Sequence, residues 1–97
     1  DRRAAKKIAA RFQGKRTRSR RAMVAVFLQN GVSPTVAQSA ASALADDRET
    51  AITLCRSYYP ALSEENRLDI MKLLNRRGYS ADVSREAARQ LLSETED

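Results

Sequence analysis

The chain has 97 residues, 42% of them hydrophobic and 31% charged, which fits one small folded domain or a pair of modules and excludes a compositionally disordered segment. Its net charge of +6 is unevenly placed: residues 1–21 hold ten Lys or Arg against one acid, and residues 22–97 hold eight against eleven. With no His, one Cys and three Gly, the chain lacks a ready general base near neutral pH, a thiolate cluster and the glycine pattern of a phosphate-binding loop.

The spacing of Ala5, Ile8, Ala9 and Phe12 predicts a first helix from about Arg2 to Phe12, ended by Gly14 in the left-handed conformation. A basic turn follows, Lys15-Arg16-Thr17-Arg18-Ser19. A second helix spans about Arg20–Asn30, with Met23, Val24, Phe27 and Leu28 inward, and Gly31 stops it. Ser33 caps a third helix with Pro34 in its first turn, where a missing N–H costs nothing, and Val36, Ala40 and Leu44 on one face. Asp46 and Asp47 open a fourth helix that runs to Tyr58 or Tyr59 and stops before Pro60. Ser63, followed by Glu64 and Glu65, opens a fifth helix carrying Leu68, Ile70, Met71, Leu73 and Leu74 and ending at Gly78. Ser80 caps the sixth, with Val83, Ala87, Leu91 and Leu92, before an acidic Ser93–Asp97 tail that is expected to fray.

Self-similarity organises this series. Asn30-Gly31-Val32-Ser33 and Arg77-Gly78-Tyr79-Ser80, with Val36/Val83, Ala40/Ala87 and Leu44/Leu91 after them, recur at an offset of about 47 residues. Asp1-Arg2, Ala5, Ile8 and Phe12 resemble Asp47-Arg48, Ala51, Leu54 and Tyr58 at nearly the same offset. The expected fold is therefore all-α with no strands: two tandem three-helix repeats, residues 1–45 and 46–97, in a right-handed helical array with shared buried surface.

The basic cluster is the strongest chemical signal. Lys6, Lys7, Arg11, Lys15, Arg16, Arg18, Arg20 and Arg21 crowd the first helix and its turn, a density that suits phosphate contacts. Lys72, Arg76 and Arg77 form a smaller candidate binding set, for which dipole complement and solubility are an equally weighted reading. Phe12, Phe27, Tyr58, Tyr59 and Tyr79 fall on or beside inward stripes and read as core, since no aromatic interrupts Lys15 to Arg21. The carboxylate pairs Asp46/Asp47 and Glu64/Glu65 are explained by capping, and Cys55 by packing, so no catalytic, metal or cofactor site is expected. A lone cysteine and the absence of an apolar run near the ~18 residues of a membrane span point to a cytoplasmic protein.

The run Arg76-Arg77-Gly78-Tyr79-Ser80-Ala81-Asp82-Val83 resembles the last-repeat signature of the RecX family, bacterial regulators of the recombinase RecA. Leu28-Gln29-Asn30-Gly31-Val32-Ser33 is similar to that family's middle-repeat motif, and Asp1-Arg2-Arg3-Ala4-Ala5, running on to Lys15, to the helix that leads into its basic turn. Ala4 stands where an aromatic is common, and Ala25 and Val26 where polar residues often occur. The family has three repeats and two are recognisable here, so the resemblance implies either its C-terminal two repeats, with which a start at Asp1 and not Met agrees, or a divergent or shortened relative. It further implies a non-enzymatic regulator of recombination and DNA repair in the SOS response. Such a protein binds the RecA–DNA filament and inhibits its ATPase and strand exchange, as a monomer without cofactor, small-molecule substrate or membrane. From the residues alone, a general module binding single- or double-stranded DNA and a protein-interaction repeat without DNA binding are the alternatives.

Overall fold

The computed structural model describes residues 2–94. The expectations for Asp1 and for the tail from Thr95 on lie outside the described residues. These are all-helical: α1 (Arg2–Ala9), α2 (Arg20–Gln29), α3 (Pro34–Ser42), α4 (Asp47–Tyr58), α5 (Arg67–Arg76) and α6 (Ala81–Ser93). Single 3₁₀ turns, Gly14–Arg16 and Glu64–Asn66, precede α2 and α5. None of these helices is long and apolar enough to cross a membrane. The body measures 47 × 22 × 18 Å.

Helix ends follow local chemistry. Ser19, Ser33 and Ser80 accept the N–H of Ala22, Val36 and Val83 at 3.0, 3.4 and 3.1 Å, and Asp46 Oδ1 accepts that of Arg48 at 2.8 Å. Each satisfies an orphan donor of the first turn. The two glycine corners are built alike. Gly31 (φ +83°) and Gly78 (φ +93°) let the chain reverse, and the next residue's N–H returns to the preceding helix. Val32 donates to the Phe27 carbonyl and Tyr79 to the Leu74 carbonyl, each at 3.0 Å. Two helices depart from their predicted bounds: α5 begins at Arg67, because Ser63 heads the separate 3₁₀ turn Glu64–Asn66, and α1 ends early. It closes at Ala9, because Arg11 and Phe12 donate to carbonyls three residues back, at Ile8 and Ala9. Gly14 (φ +58°) then starts the 3₁₀ turn instead of ending the helix.

The apolar residues form two clusters. One joins Ala5, Ile8, Met23, Val26, Phe27, Val32, Ala37 and Ala41. The other joins Ala51, Leu54, Cys55, Ile70, Leu73, Leu74, Tyr79, Ala87, Ala88, Leu91 and Leu92. Two predicted faces are rotated. In α2, Val26 is buried and Leu28 is 44% exposed, because residues 23–28 are continuously apolar and their periodicity does not select a face. In α5, Leu68 is 64% exposed while Ile70, Leu73 and Leu74 turn inward. In α3 the buried line is Ala37 and Ala41, with Val36, Ala40 and Leu44 at its flank. The small residues there let α1 and α2 approach α3 closely.

Candidate nucleic-acid interface

The basic turn between α1 and α2 sits at the junction of the two clusters, packed on α4. It is held by a residue distant in sequence. The Arg77 guanidinium, at the C-terminus of α5, donates through Nη1 to the carbonyls of Lys15 (2.6 Å) and Thr17 (3.2 Å), and through Nη2 to the Tyr58 hydroxyl (2.9 Å). The Ser19 N–H donates to the Arg77 carbonyl at 3.1 Å. One side chain thus satisfies backbone carbonyls that a single 3₁₀ turn leaves unpaired. Thr17 and Ser19 are consequently buried although polar.

A second tie runs through Arg20. Its backbone N–H donates to Asp47 Oδ1 at 2.9 Å, and its guanidinium donates through Nε (3.1 Å) and Nη2 to the Leu44 carbonyl. Asp47, expected to serve its own helix, also serves the start of α2. Half-buried Arg20 is committed to the seam, and so is Arg77; the structure gives both a structural duty beside the binding role read from sequence.

The remaining predicted cations differ in what they meet. Arg11, Arg16, Arg18 and Arg77, with Phe12 and Asn30, line one cleft of about 360 Å³. Lys15 stands beside it through Tyr58, its ammonium 5.6 Å from the ring centroid, and the Arg77 guanidinium lies at the same distance from that ring. The Arg18 guanidinium lies 4.9 Å over the Phe12 ring. Such contacts contribute about 0.5–1 kcal/mol each where exposed. Lys6 lines a neighbouring seam groove of about 560 Å³ with Arg18 and Arg20, and Arg21 shares a shallower one with Arg20. Lys7, Lys72 and Arg76 are exposed and line none of these clefts.

The ion pairs among the described residues are Arg56–Glu94, Arg67–Glu64, Arg85–Asp82 and Arg89–Glu86. None of the eleven predicted binding residues takes part in one. The Glu64 carboxyl is held below its ordinary range by the hydrogen bond from Arg67, far from the basic turn in sequence.

Sequence reasoning missed the aromatics of this surface. Tyr58 is 40% exposed and borders the basic turn, where a core position was expected. Phe12 is half-buried, its ring covered by Arg18. The linear run Lys15–Arg21 holds no aromatic, but folding brings one ring from α4 and one from the end of the α1 segment to it. The chain matches no protein-family profile, no curated protein and no solved structure.

Proposed function

We propose that this chain is a non-enzymatic helical module that binds nucleic acid through its basic turn and modulates a recombinase–DNA filament. The observation that carries the binding reading is the convergence of Arg11, Lys15, Arg16, Arg18 and Arg77 without a carboxylate partner among the described residues. Cations left unneutralised by the protein itself complement a polyanion, and each phosphate they meet releases counterions. Contacts of this kind supply affinity and register, not sequence readout. The filament reading is supported by the RecX-like motifs at Gly31 and Gly78, and it directs the basic face toward DNA or an acidic protein groove. Inhibition of the recombinase ATPase and of strand exchange is the expected consequence.

The test replaces Lys15, Arg16, Arg18 and Arg21 together with Glu, leaving Arg20 in place because it holds the Leu44 carbonyl. DNA affinity at two salt concentrations, helicity by circular dichroism and the DNA-dependent ATPase of a purified recombinase are then compared with the native chain. Native DNA binding should weaken steeply with salt, and the variant should lose both binding and ATPase inhibition at unchanged helicity. Undiminished inhibition by the variant overturns the assignment of this face. Native DNA binding without any effect on the ATPase reduces the reading to a general nucleic-acid module, and no DNA binding at low salt reduces it to a protein-interaction repeat.

A further inference from the structure

We infer that the cleft lined by Arg11, Phe12, Arg16, Arg18, Asn30 and Arg77 seats one unstacked nucleotide unit, so that the basic face selects single-stranded nucleic acid over duplex. This rests on the reading that the basic turn meets nucleic acid and adds which form it takes.

Three features of the cleft carry the inference. Its wall is built from four guanidinium groups, an aromatic ring and an amide, with no acidic side chain among the lining residues. That combination offers both parts of a nucleotide a partner: cations for the phosphate and planar π surfaces for the base. Its volume of about 360 Å³ lies at the small end of the roughly 300–1,000 Å³ of ligand clefts. It therefore suits one nucleotide unit, not the width of a duplex. The wall is also preorganised. Arg77 is fixed by the carbonyls of Lys15 and Thr17 and by the Tyr58 hydroxyl, and the Arg18 guanidinium carbon lies over the Phe12 ring. The Asn30 amide donates Nδ2 to the Val26 carbonyl at 2.8 Å, which leaves its Oδ1 as an acceptor for a base N–H.

A duplex offers this cleft only phosphates, because its bases are paired and stacked, and delivering one would require flipping it from the stack. A flexible single strand presents phosphate and base together. The neighbouring seam groove shares Phe12 and Arg18 with this cleft and adds Lys6, but its Arg20 is already held by the Leu44 carbonyl and Ala9, Ala10, Met23 and Ala45 make its wall more apolar, so the cleft concentrates more guanidinium groups around one space.

The experiment compares a thymine single strand, a duplex of equal length and a single strand of abasic sites, binding to the native chain at one salt concentration. The thymine strand should bind at least about fivefold tighter than the duplex, the lower end of what one stacked base contributes, and the abasic strand should fall to within about twofold of the duplex. Phe12→Leu, checked for helicity, should collapse the same ratio by weakening the thymine strand. Equal affinity for single strand and duplex, or an abasic strand that binds as tightly as the thymine strand, overturns the inference while leaving a nucleic-acid face standing. Displacement of the strand by free thymidine monophosphate at equal nucleotide concentration would overturn the strand as the ligand. Failure of every nucleic acid to bind at low salt takes down the underlying reading as well.

Discussion

A Cβ placed on Gly78 would stand 2.6 Å from the hydroxyl oxygen of Ser19 and 2.9 Å from the Cβ of Ala22. The corner between α5 and α6 is thus pressed into the start of α2, closer than any residue with a side chain allows. Gly31, its counterpart between α2 and α3, has nothing within 4 Å. Both adopt positive φ, so alanine at either position carries the left-handed penalty of roughly 1–2 kcal/mol. Gly78→Ala must add overpacking of about 1–3 kcal/mol, because Ala22 is a stub fixed on a helix and cannot swing aside. Chemical denaturation should therefore rank native, Gly31→Ala and Gly78→Ala in falling stability. Equal losses at the two glycines would show that the seam is not closely packed.

Ser84 in α6 is 2% exposed, and its hydroxyl is the buried side-chain oxygen without a hydrogen-bond partner among the described residues. The residue at the same place in α3, one repeat offset earlier, is Ala37, which is fully buried. Removing a buried unpaired hydroxyl relieves a desolvation cost of about 1–3 kcal/mol, less the small void left by one oxygen. Ser84→Ala should accordingly raise the denaturation midpoint by the equivalent of about 0.5–2 kcal/mol. A lowered midpoint would indicate that the hydroxyl is satisfied in solution.

Alkaline pH should unfold this protein by way of two buried neutral acids. Burial pushes the Tyr79 phenol up from 10.0 to about 12, against a smaller opposing effect of its 2.8 Å hydrogen bond with the Thr50 hydroxyl. Burial likewise pushes the Cys55 thiol up from 9.0 to about 11. In the unfolded chain both ionise at their ordinary values, so across roughly pH 9–12 the native state binds more protons and stability falls as pH rises. The contribution is complete below about pH 9, and its loss amounts to at most about 2–3 kcal/mol per group. Urea midpoints should be level from about pH 7 to 8.5 and then decline. Cys55→Ala should flatten the early part of the decline and Tyr79→Phe the late part. Identical pH profiles for the native chain and both variants would rule these groups out as the cause.

What the sequence made legible was what neighbouring residues decide. Ser33 and Ser80 cap helices because a hydroxyl reaches an N–H three residues away, and Gly31 and Gly78 turn the chain because only glycine takes that φ freely. The inward face of α2 was less legible, since seven consecutive apolar residues, Ala22 to Leu28, leave the rotation of the helix to tertiary packing, which chose Val26 over Leu28. The arrangement of the candidate site was not legible at all. The contact of Arg77 with Lys15 spans 62 residues, and that of Arg20 with Leu44 spans 24. No local pattern announces either one. Charge density located the basic turn, but the Tyr58 ring at its border and the bracing role of Arg77 arise only when the two clusters meet.

The bracing of the turn by Arg77 and Tyr58 has a thermodynamic corollary. If a polyanion binds this face as proposed, with Arg77 part of its site, it favours the state in which the C-terminal helices are pressed against the N-terminal ones. By mass action such a ligand would act as a rivet between the two halves, adding at most about 2.7 kcal/mol to their cohesion at a hundredfold excess over its Kd. A partner on the basic turn would then govern how firmly the two halves hold together.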